Sequence, residues 1–191
     1  MKKICFATNN KNKLAEIRAA LQGVCEIVGL ADIGCNEELP ETTDTLEGNS
    51  LQKAKHVATN YQIDCFADDT GLEVTALNGE PGVYSARYAG LECDADKNID
   101  KLLYELGDTE NRDAQFKTII TLIEGDEIQQ FEGLAKGTIT TKRIGVDGFG
   151  YDPIFIPQGH SVTFAEMTMA QKNEISHRGL AVKKLITYLK E

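Results

Sequence analysis

The order of strand-like and helix-like segments constrains the fold of this chain more than any other feature. Early in the chain, short apolar runs alternate with segments whose apolar residues have helical spacing, as in Leu46 to Tyr61. Later, the strand-like runs Gln115 to Ile123 and Ile128 to Ile139 surround Glu124-Gly125-Asp126 and predict an antiparallel hairpin. Alternation followed by hairpin strands predicts an α/β fold with a mixed sheet flanked by helices.

Capping and turn residues mark the ends of the other predicted elements. Asn and Asp side chains accept hydrogen bonds from the free N–H groups at a helix start, and glycine often follows a helix end. The remaining predicted elements are strands at 4–8 and 63–67, a helix capped by Asn10 and stopped by Gly23, a helix capped by Asp94 or Asp96 and closed by Gly107, and a last helix beginning near Ser176.

Length, charge and cysteine usage limit the class of protein. The 191 residues suit one soluble domain or a compact two-lobed one. No apolar run reaches membrane-spanning length and the N-terminus is too polar for a signal peptide, so we expect a cytoplasmic protein. A net charge of −10 argues against binding nucleic acid polymers but allows a single anionic metabolite. The five cysteines form no C-x-x-C pair and are expected to be buried free thiols.

Two adjacent carboxylates, Asp68 and Asp69, stand between an apolar strand-like run and Gly71. Successive strand residues point to opposite faces, so both can face one pocket only if the strand is already ending, and we expect a turn at the glycine. One of the two is a candidate metal ligand or base. An ordinary hydrated loop is the alternative.

Two segments carry polar residues suited to phosphate or metal. Thr8 to Lys13 combines a strand end, an asparagine-rich turn and a helix start, where N–H groups and the helix dipole favour an anion. In Glu41 to Ala54, Glu41 can reach a divalent cation and Lys53 a phosphate. Simple helix capping, the commoner use of such residues, is the alternative for either segment.

Two further segments carry groups that can recognise a planar ring. Gly148 to Phe155 places two aromatic residues between glycines, which suits base stacking or a small apolar cluster. Lys172 to Arg178 places three cationic or titratable groups at a helix entrance. His177 and Arg178 are suitable donors to a ring carbonyl, although His177 could instead cap the helix.

Taken together, six motifs resemble the inosine triphosphate pyrophosphatase family, also called the XTP/dITP diphosphatases. They occur in the family's order from residue 8 to residue 178, and their joint presence is far more specific than any one of them. The motifs are Thr8-x-Asn10-x-x-Lys13, Glu41 to Ala54, Ala67-Asp68-Asp69-Thr70-Gly71-Leu72, Pro81 to Arg87, Gly148 to Pro153 and Lys172-x-x-x-Ser176-His177-Arg178.

The resemblance implies a single domain over 1–191 with a long mixed central sheet, two lobes and a nucleotide cleft between them. It also implies a homodimer. The implied reaction is Mg²⁺-dependent hydrolysis of purine nucleoside triphosphates outside the normal set (ITP, dITP and XTP) to the monophosphate and pyrophosphate. Such an activity removes these nucleotides from the cellular pool.

The resemblance also implies roles for individual residues. Asp69 is expected to be the proton acceptor and a metal ligand, and Glu41 the second acidic metal ligand. The expected substrate contacts are Thr8, Asn9, Asn10, Lys11, Asn12, Lys13, Lys53 and Thr70 for the triphosphate, Phe149, Gly150, Tyr151 and Asp152 for the base pocket, and Lys172, His177 and Arg178 for the base.

Two features depart from the family pattern, and two other classes compete with it. Thr70 replaces a more frequent serine but keeps the hydroxyl, and Glu47-Gly48-Asn49-Ser50 replaces Glu-Glu-Asn-Ala. The related Maf-like pyrophosphatases act on modified pyrimidine triphosphates, and the motifs at 149–152 and 176–178 weigh against them. A non-catalytic nucleotide sensor would have lost a metal-binding acid, whereas Glu41 and Asp69 are both present.

Overall fold

The computed structural model describes residues 2–190, except for the side chains of Asn12 and Glu16. Within these residues, seven strands form one sheet in the order β2-β1-β3-β5-β6-β7, and β4 pairs with β3. β1 pairs in parallel with β2 and β3, whereas the β3–β4 and β6–β7 pairs are antiparallel. The predicted mixed sheet is therefore confirmed. The strands are β1 (Lys3–Phe6), β2 (Glu26–Gly29), β3 (Cys65–Val74), β4 (Pro81–Gly82), β5 (Asp113–Glu124), β6 (Glu127–Ile139) and β7 (Phe155–Pro157).

Helices flank this sheet as predicted, with one difference near the C-terminus. α2 has the predicted bounds, and Asp94 rather than Asp96 caps α3. The last helix begins at His177, which confirms the predicted start near Ser176, but Lys172 does not lie at the entrance of that helix. Lys172 lies on a separate short helix that a Thr168–Gln171 capping box starts and extended Ser176 ends. The helices are α1 (Lys11–Ala20), α2 (Leu46–Tyr61), α3 (Ala95–Leu106), α4 (Met169–Ile175) and α5 (His177–Leu189).

The turn predicted at Gly71 is also wrong, because β3 continues without interruption to Val74. A Cβ atom on Gly71 would lie 2.5 Å from the carbonyl oxygen of Gly82, far inside van der Waals contact. This glycine therefore permits the close approach of β4 to β3. Such an approach is a recognised reason for a glycine inside a strand.

The chain divides into two compact units, each with its own apolar core. Unit 1 contains the described residues up to Asp69, Ile119–Glu132 and those from Ala181 onward, and the rings of Phe6 and Phe66 stack in its core at 4.7 Å. Unit 2 contains Thr70–Thr118 and Gly133–Leu180, with a core that includes Phe116, Phe155 and Phe164.

The expectation of buried free thiols is confirmed for four of the five cysteines. Cys5, Cys25, Cys35 and Cys65 are buried in unit 1, whereas Cys93 of unit 2 is exposed. Burial raises the pKa of Cys5 to about 12, so its thiol is protonated at neutral pH. In the described part of the chain, no helix is both long and apolar enough to span a membrane.

Candidate active site

The turn between β1 and α1 contains the first group of expected substrate contacts. The Lys13 N–H donates to Asn10 Oδ1 at 3.1 Å, which confirms the predicted helix cap, and the Asn10 N–H donates to the Thr8 hydroxyl at 3.2 Å. Polar side chains and helix N–H groups meet at this turn, where an anion binds favourably. Of the other expected contacts here, Asn9 and Lys11 are exposed, and the side chain of Asn12 lies outside the described part of the chain.

Asp68 and Asp69 contact different lysines, because successive residues of β3 point to opposite faces. Asp68 Oδ2 lies 2.8 Å from Lys13 Nζ, and the Asp68 side chain is only 3% exposed. Asp69 Oδ1 lies 3.6 Å from Lys53 Nζ. β3 therefore presents one carboxylate to α1 and the next to α2, and each holds a lysine in place.

Lys53 of α2 contacts two carboxylates at once. Its Nζ donates a hydrogen bond to Glu41 Oε1 and also lies beside Asp69. Burial lowers the pKa of Lys53, but the carboxylates of Asp69, Asp68 and Glu41 outweigh that effect and hold the pKa above its ordinary value. The ammonium group is therefore charged at neutral pH, and Glu41 and Asp69 converge on one cation.

The Asp69 carboxyl group has a raised pKa. Burial raises the pKa of Asp69 above its ordinary value, and the charges of Glu41 and Asp68 add to the rise. The Lys53 ammonium and a hydrogen bond from the Asn49 side chain act in the opposite direction. A carboxylate whose pKa is shifted toward neutrality is suited to accept a proton from water.

Asn49 was not among the expected site residues, although it contacts this cluster. It is 1% exposed in the first turn of α2, and its Oδ1 accepts a hydrogen bond from the Thr43 N–H at 3.0 Å. Its spacing of four residues from Lys53 was the only sequence signal, because such residues share a helix face. A shared face alone did not distinguish a site residue from a core residue.

Thr70, the first residue of unit 2, pairs with a second threonine. Its hydroxyl lies 2.7 Å from the hydroxyl of Thr118 on β5. Thr118 is fully buried, so the pair satisfies a polar group that would otherwise be costly in the core. The hydrogen bond to Thr118 therefore fixes the hydroxyl of the residue that directly follows Asp69 in the sequence.

Asp152 organises the expected base-binding residues of unit 2. Its Oδ2 accepts a hydrogen bond from the Phe149 N–H at 2.8 Å and another from Lys172 Nζ. The Lys172 ammonium lies 4.5 Å from the centroid of the Phe149 ring, and Arg178 Cζ lies 5.5 Å from it. Two cations therefore lie beside the half-exposed Phe149, and one of them, Lys172, also pairs with the buried Asp152 carboxylate.

The other expected base-pocket residues have contacts of their own. Tyr151 is buried and its hydroxyl donates to the Ser85 carbonyl at 2.8 Å, so Phe149 is the aromatic residue that exposes its ring. His177 is buried and stacks on Phe116 at 4.5 Å. Gly150 has a φ of 58°, a conformation that glycine adopts without strain.

Comparison with known proteins identifies the family. The model of the Ham1 family matches residues 4–188 of the chain. The chain belongs to the Ham1 family. A Flavobacterium johnsoniae protein named dITP/XTP pyrophosphatase is 56% identical over 188 residues, covering 98% of this chain and 97% of its own length. A Flavobacterium psychrophilum protein of the same name is 53% identical over 187 residues, covering 98% of each chain. The resemblance drawn from the six motifs is thus confirmed.

A solved structure supports the same assignment. The Staphylococcus aureus Ham1 protein superposes with a TM-score of 0.93 at 39% identity, covering 99% of this chain and 98% of its own. The central mixed sheet with flanking helices is therefore the fold of a Ham1 protein.

The carboxylates of this Ham1-family chain fit a magnesium ion. Glu41 and Asp69 supply the oxygen donors that Mg²⁺ prefers, and both already converge on the Lys53 ammonium. Among the residues that the structure describes, no three His, Cys, Asp or Glu side chains form a ready-made metal cage. Two carboxylates without a full cage suit Mg²⁺, which takes its other ligands from water and substrate phosphates.

Proposed function

We propose that this Ham1-family chain is a nucleoside-triphosphate pyrophosphatase that hydrolyses dITP, XTP and ITP to the monophosphate and pyrophosphate with Mg²⁺. The observation that carries the proposal is Asp69, a largely buried carboxylate with a raised pKa beside Lys53 and Glu41. The names of the dITP/XTP pyrophosphatases to which the chain is more than 50% identical support the same activity.

In this proposal the lysines of unit 1 bind the triphosphate. Lys13 and Lys53 are each held by a carboxylate, so their ammonium groups are oriented before substrate arrives. Fixed cations stabilise the charge that develops on phosphate oxygens more effectively than mobile ones. The N–H groups at the start of α1 add a further site for a phosphate oxygen.

Asp69 is the general base of the proposed reaction. It accepts a proton from the water whose oxygen forms a bond to the α-phosphorus, while the bond from that phosphorus to the bridging oxygen of the β-phosphate breaks. Pyrophosphate leaves with the bonding electrons, and the lysine ammonium groups stabilise its charge. When bound by Glu41 and Asp69, Mg²⁺ neutralises phosphate charge and acidifies water.

The residues around Asp152 are proposed to recognise the base. Phe149 is half-exposed and offers its ring for stacking, and Lys172 and Arg178 carry donors suited to a purine carbonyl. Adenine has an amino group where hypoxanthine and xanthine have a carbonyl at position 6. A donor that faces this amino group is left unsatisfied, which costs about 1 to 3 kcal/mol.

The decisive experiment measures pyrophosphate release from dITP, XTP, ITP, dATP, dGTP and dUTP with Mg²⁺. We expect release from the first three well above the others. Preferential turnover of a pyrimidine triphosphate would favour a Maf-like activity, and binding without release would favour a nucleotide sensor.

Asp69→Asn tests the assigned base directly. We expect the substitution to lower kcat at least about 100-fold while nucleotide binding stays measurable, because it removes the proton acceptor without altering the residues around Asp152. Retention of more than about a tenth of the wild-type kcat contradicts a general-base role for Asp69.

A further inference from the structure

Tyr151 connects the turn of the expected base pocket to a segment that the proposed function leaves without a role. Its hydroxyl donates a hydrogen bond to the Ser85 carbonyl oxygen at 2.8 Å, and its side chain belongs to the apolar core of unit 2. Ser85 lies within Pro81 to Arg87, the one motif of the family resemblance to which no substrate contact is assigned. The hydrogen bond therefore joins two motifs of the resemblance that are distant in the sequence.

The turn around Phe149 is closed by its own hydrogen bonds. Asp152 Oδ2 accepts the Phe149 N–H at 2.8 Å, and the Asp152 N–H donates to the Phe149 carbonyl oxygen at 3.3 Å. Gly148 has a φ of 79°, and a Cβ atom there would lie 2.2 Å from Asp152 Oδ2, so glycine suits this position. The turn is thus fixed internally, and its position depends on its attachments to the rest of unit 2.

The acceptor of the Tyr151 hydroxyl is itself held in place. The Ser85 hydroxyl donates to the Gly82 carbonyl oxygen at 2.6 Å and accepts a hydrogen bond from the Leu72 N–H at 2.8 Å. Leu72 of β3 and Gly82 of β4 are paired residues of the sheet. Tyr151 therefore attaches the turn to a carbonyl oxygen whose position is fixed by the β3–β4 pair.

We propose that Ser85 and Tyr151 are positioning residues that hold the Phe149 turn where it can bind a purine base. This inference rests on the part of the proposed function that assigns base recognition to the residues around Asp152. Tyr151 is 5% exposed and its hydroxyl bonds Ser85, so it acts through the turn and not by touching substrate. Without this attachment, only a fraction of the molecules hold the turn in the binding position, and the apparent affinity falls by that fraction.

Tyr151→Phe and Ser85→Ala remove the attachment at its two ends. Phenylalanine keeps the buried ring and loses only the hydroxyl, whereas alanine removes the two bonds that fix the Ser85 backbone. One neutral hydrogen bond corresponds to a factor of about 2 to 10 in an equilibrium constant. We expect each variant to raise KM for dITP, and Kd for a non-hydrolysable dITP analogue measured by calorimetry, by about 2- to 10-fold, with a much smaller change in kcat.

Two measurements separate positioning from a general loss of stability. Tripolyphosphate carries the charges of the substrate without a base, so its inhibition constant should be the same in both variants and in wild-type protein. Because both substitutions act through one hydrogen bond, the double variant should raise KM no further than the more affected single variant. Independent effects on packing would multiply instead.

Tyr88→Phe is the matched control. Tyr88 is a buried tyrosine of the same core, and its hydroxyl bonds Glu80 Oε2 at 3.1 Å and not an expected substrate contact or its acceptor. The substitution removes the same atom from the same core. We expect it to lower the melting temperature about as much as Tyr151→Phe does, while KM for dITP and Kd for the analogue stay at the wild-type values.

The outcomes distinguish this inference from the proposed function. If wild-type protein binds the analogue but releases no pyrophosphate from dITP, XTP or ITP, the proposed function fails, and weaker binding by Tyr151→Phe still supports the positioning role. If wild-type protein is active and Tyr151→Phe binds the analogue equally well, the inference fails and the proposed function stands. An equal rise of KM in Tyr88→Phe and Tyr151→Phe also overturns the inference, because loosening of the core would then explain both.

Discussion

Lys172 and Asp152 form a buried ion pair whose removal should destabilise unit 2. Their side chains are 9% and 3% exposed, and Asp152 also accepts the Phe149 N–H. Lys172→Met keeps the apolar stem but leaves a buried carboxylate without its cation, a change that costs about 3 to 5 kcal/mol. In a chain of 191 residues each kcal/mol shifts the melting temperature by about 2 to 4 °C, so we expect a decrease of about 6 to 20 °C.

The double variant Lys172→Met/Asp152→Asn is the control for this reasoning. An asparagine at position 152 still accepts the Phe149 N–H through its Oδ1 but carries no charge, so the buried penalty is removed. We expect the double variant to regain most of the melting temperature that Lys172→Met loses, as measured by circular dichroism in the absence of nucleotide. A double variant no more stable than Lys172→Met would refute the argument, because the loss would then come from packing and not from an unpaired charge.

Two other predictions concern the proposed site. Glu41→Gln should lower activity at low Mg²⁺ and regain much of it as Mg²⁺ is raised, because the glutamine oxygen can still accept the hydrogen bond from Lys53 and the main loss is in metal affinity; a deficit at every Mg²⁺ concentration contradicts the metal-ligand role. Arg178→Ala should lower kcat/KM for ITP and XTP about 10- to 100-fold and change that for ATP much less, because the donor serves the 6-keto group. Parallel losses in steady-state kinetics on ITP and ATP would instead assign Arg178 to the phosphates.

The elements that were predicted correctly are those whose signals are local. α2 begins and ends where its apolar spacing does, and the β5–β6 hairpin forms around its glycine-containing turn. The predicted strand ends too early because a glycine after two aspartates usually indicates a turn. Gly71 instead lies inside β3 and permits the close contact with Gly82, eleven residues later. No local pattern contains that contact.

The candidate site shows the same division. Glu41, Lys53 and Asp69 are candidates from their sequence context and gain specific roles from the resemblance, and the structure brings them together within unit 1. Asn49 is buried beside them through a hydrogen bond from Thr43, six residues earlier, and no sequence pattern predicts that contact. The catalytic and metal-binding roles of Glu41, Lys53 and Asp69, the use of Mg²⁺ and association as a homodimer stay predictions.

The distribution of the cysteines offers a practical handle on this protein. Four thiols are enclosed in the core of unit 1, and burial raises the pKa of Cys5 and of Cys65, so they react slowly with maleimides. Cys93 lies at the surface of unit 2. A fluorophore or spin label can therefore be attached at one defined position, and its response to added nucleotide can be measured without removing any cysteine.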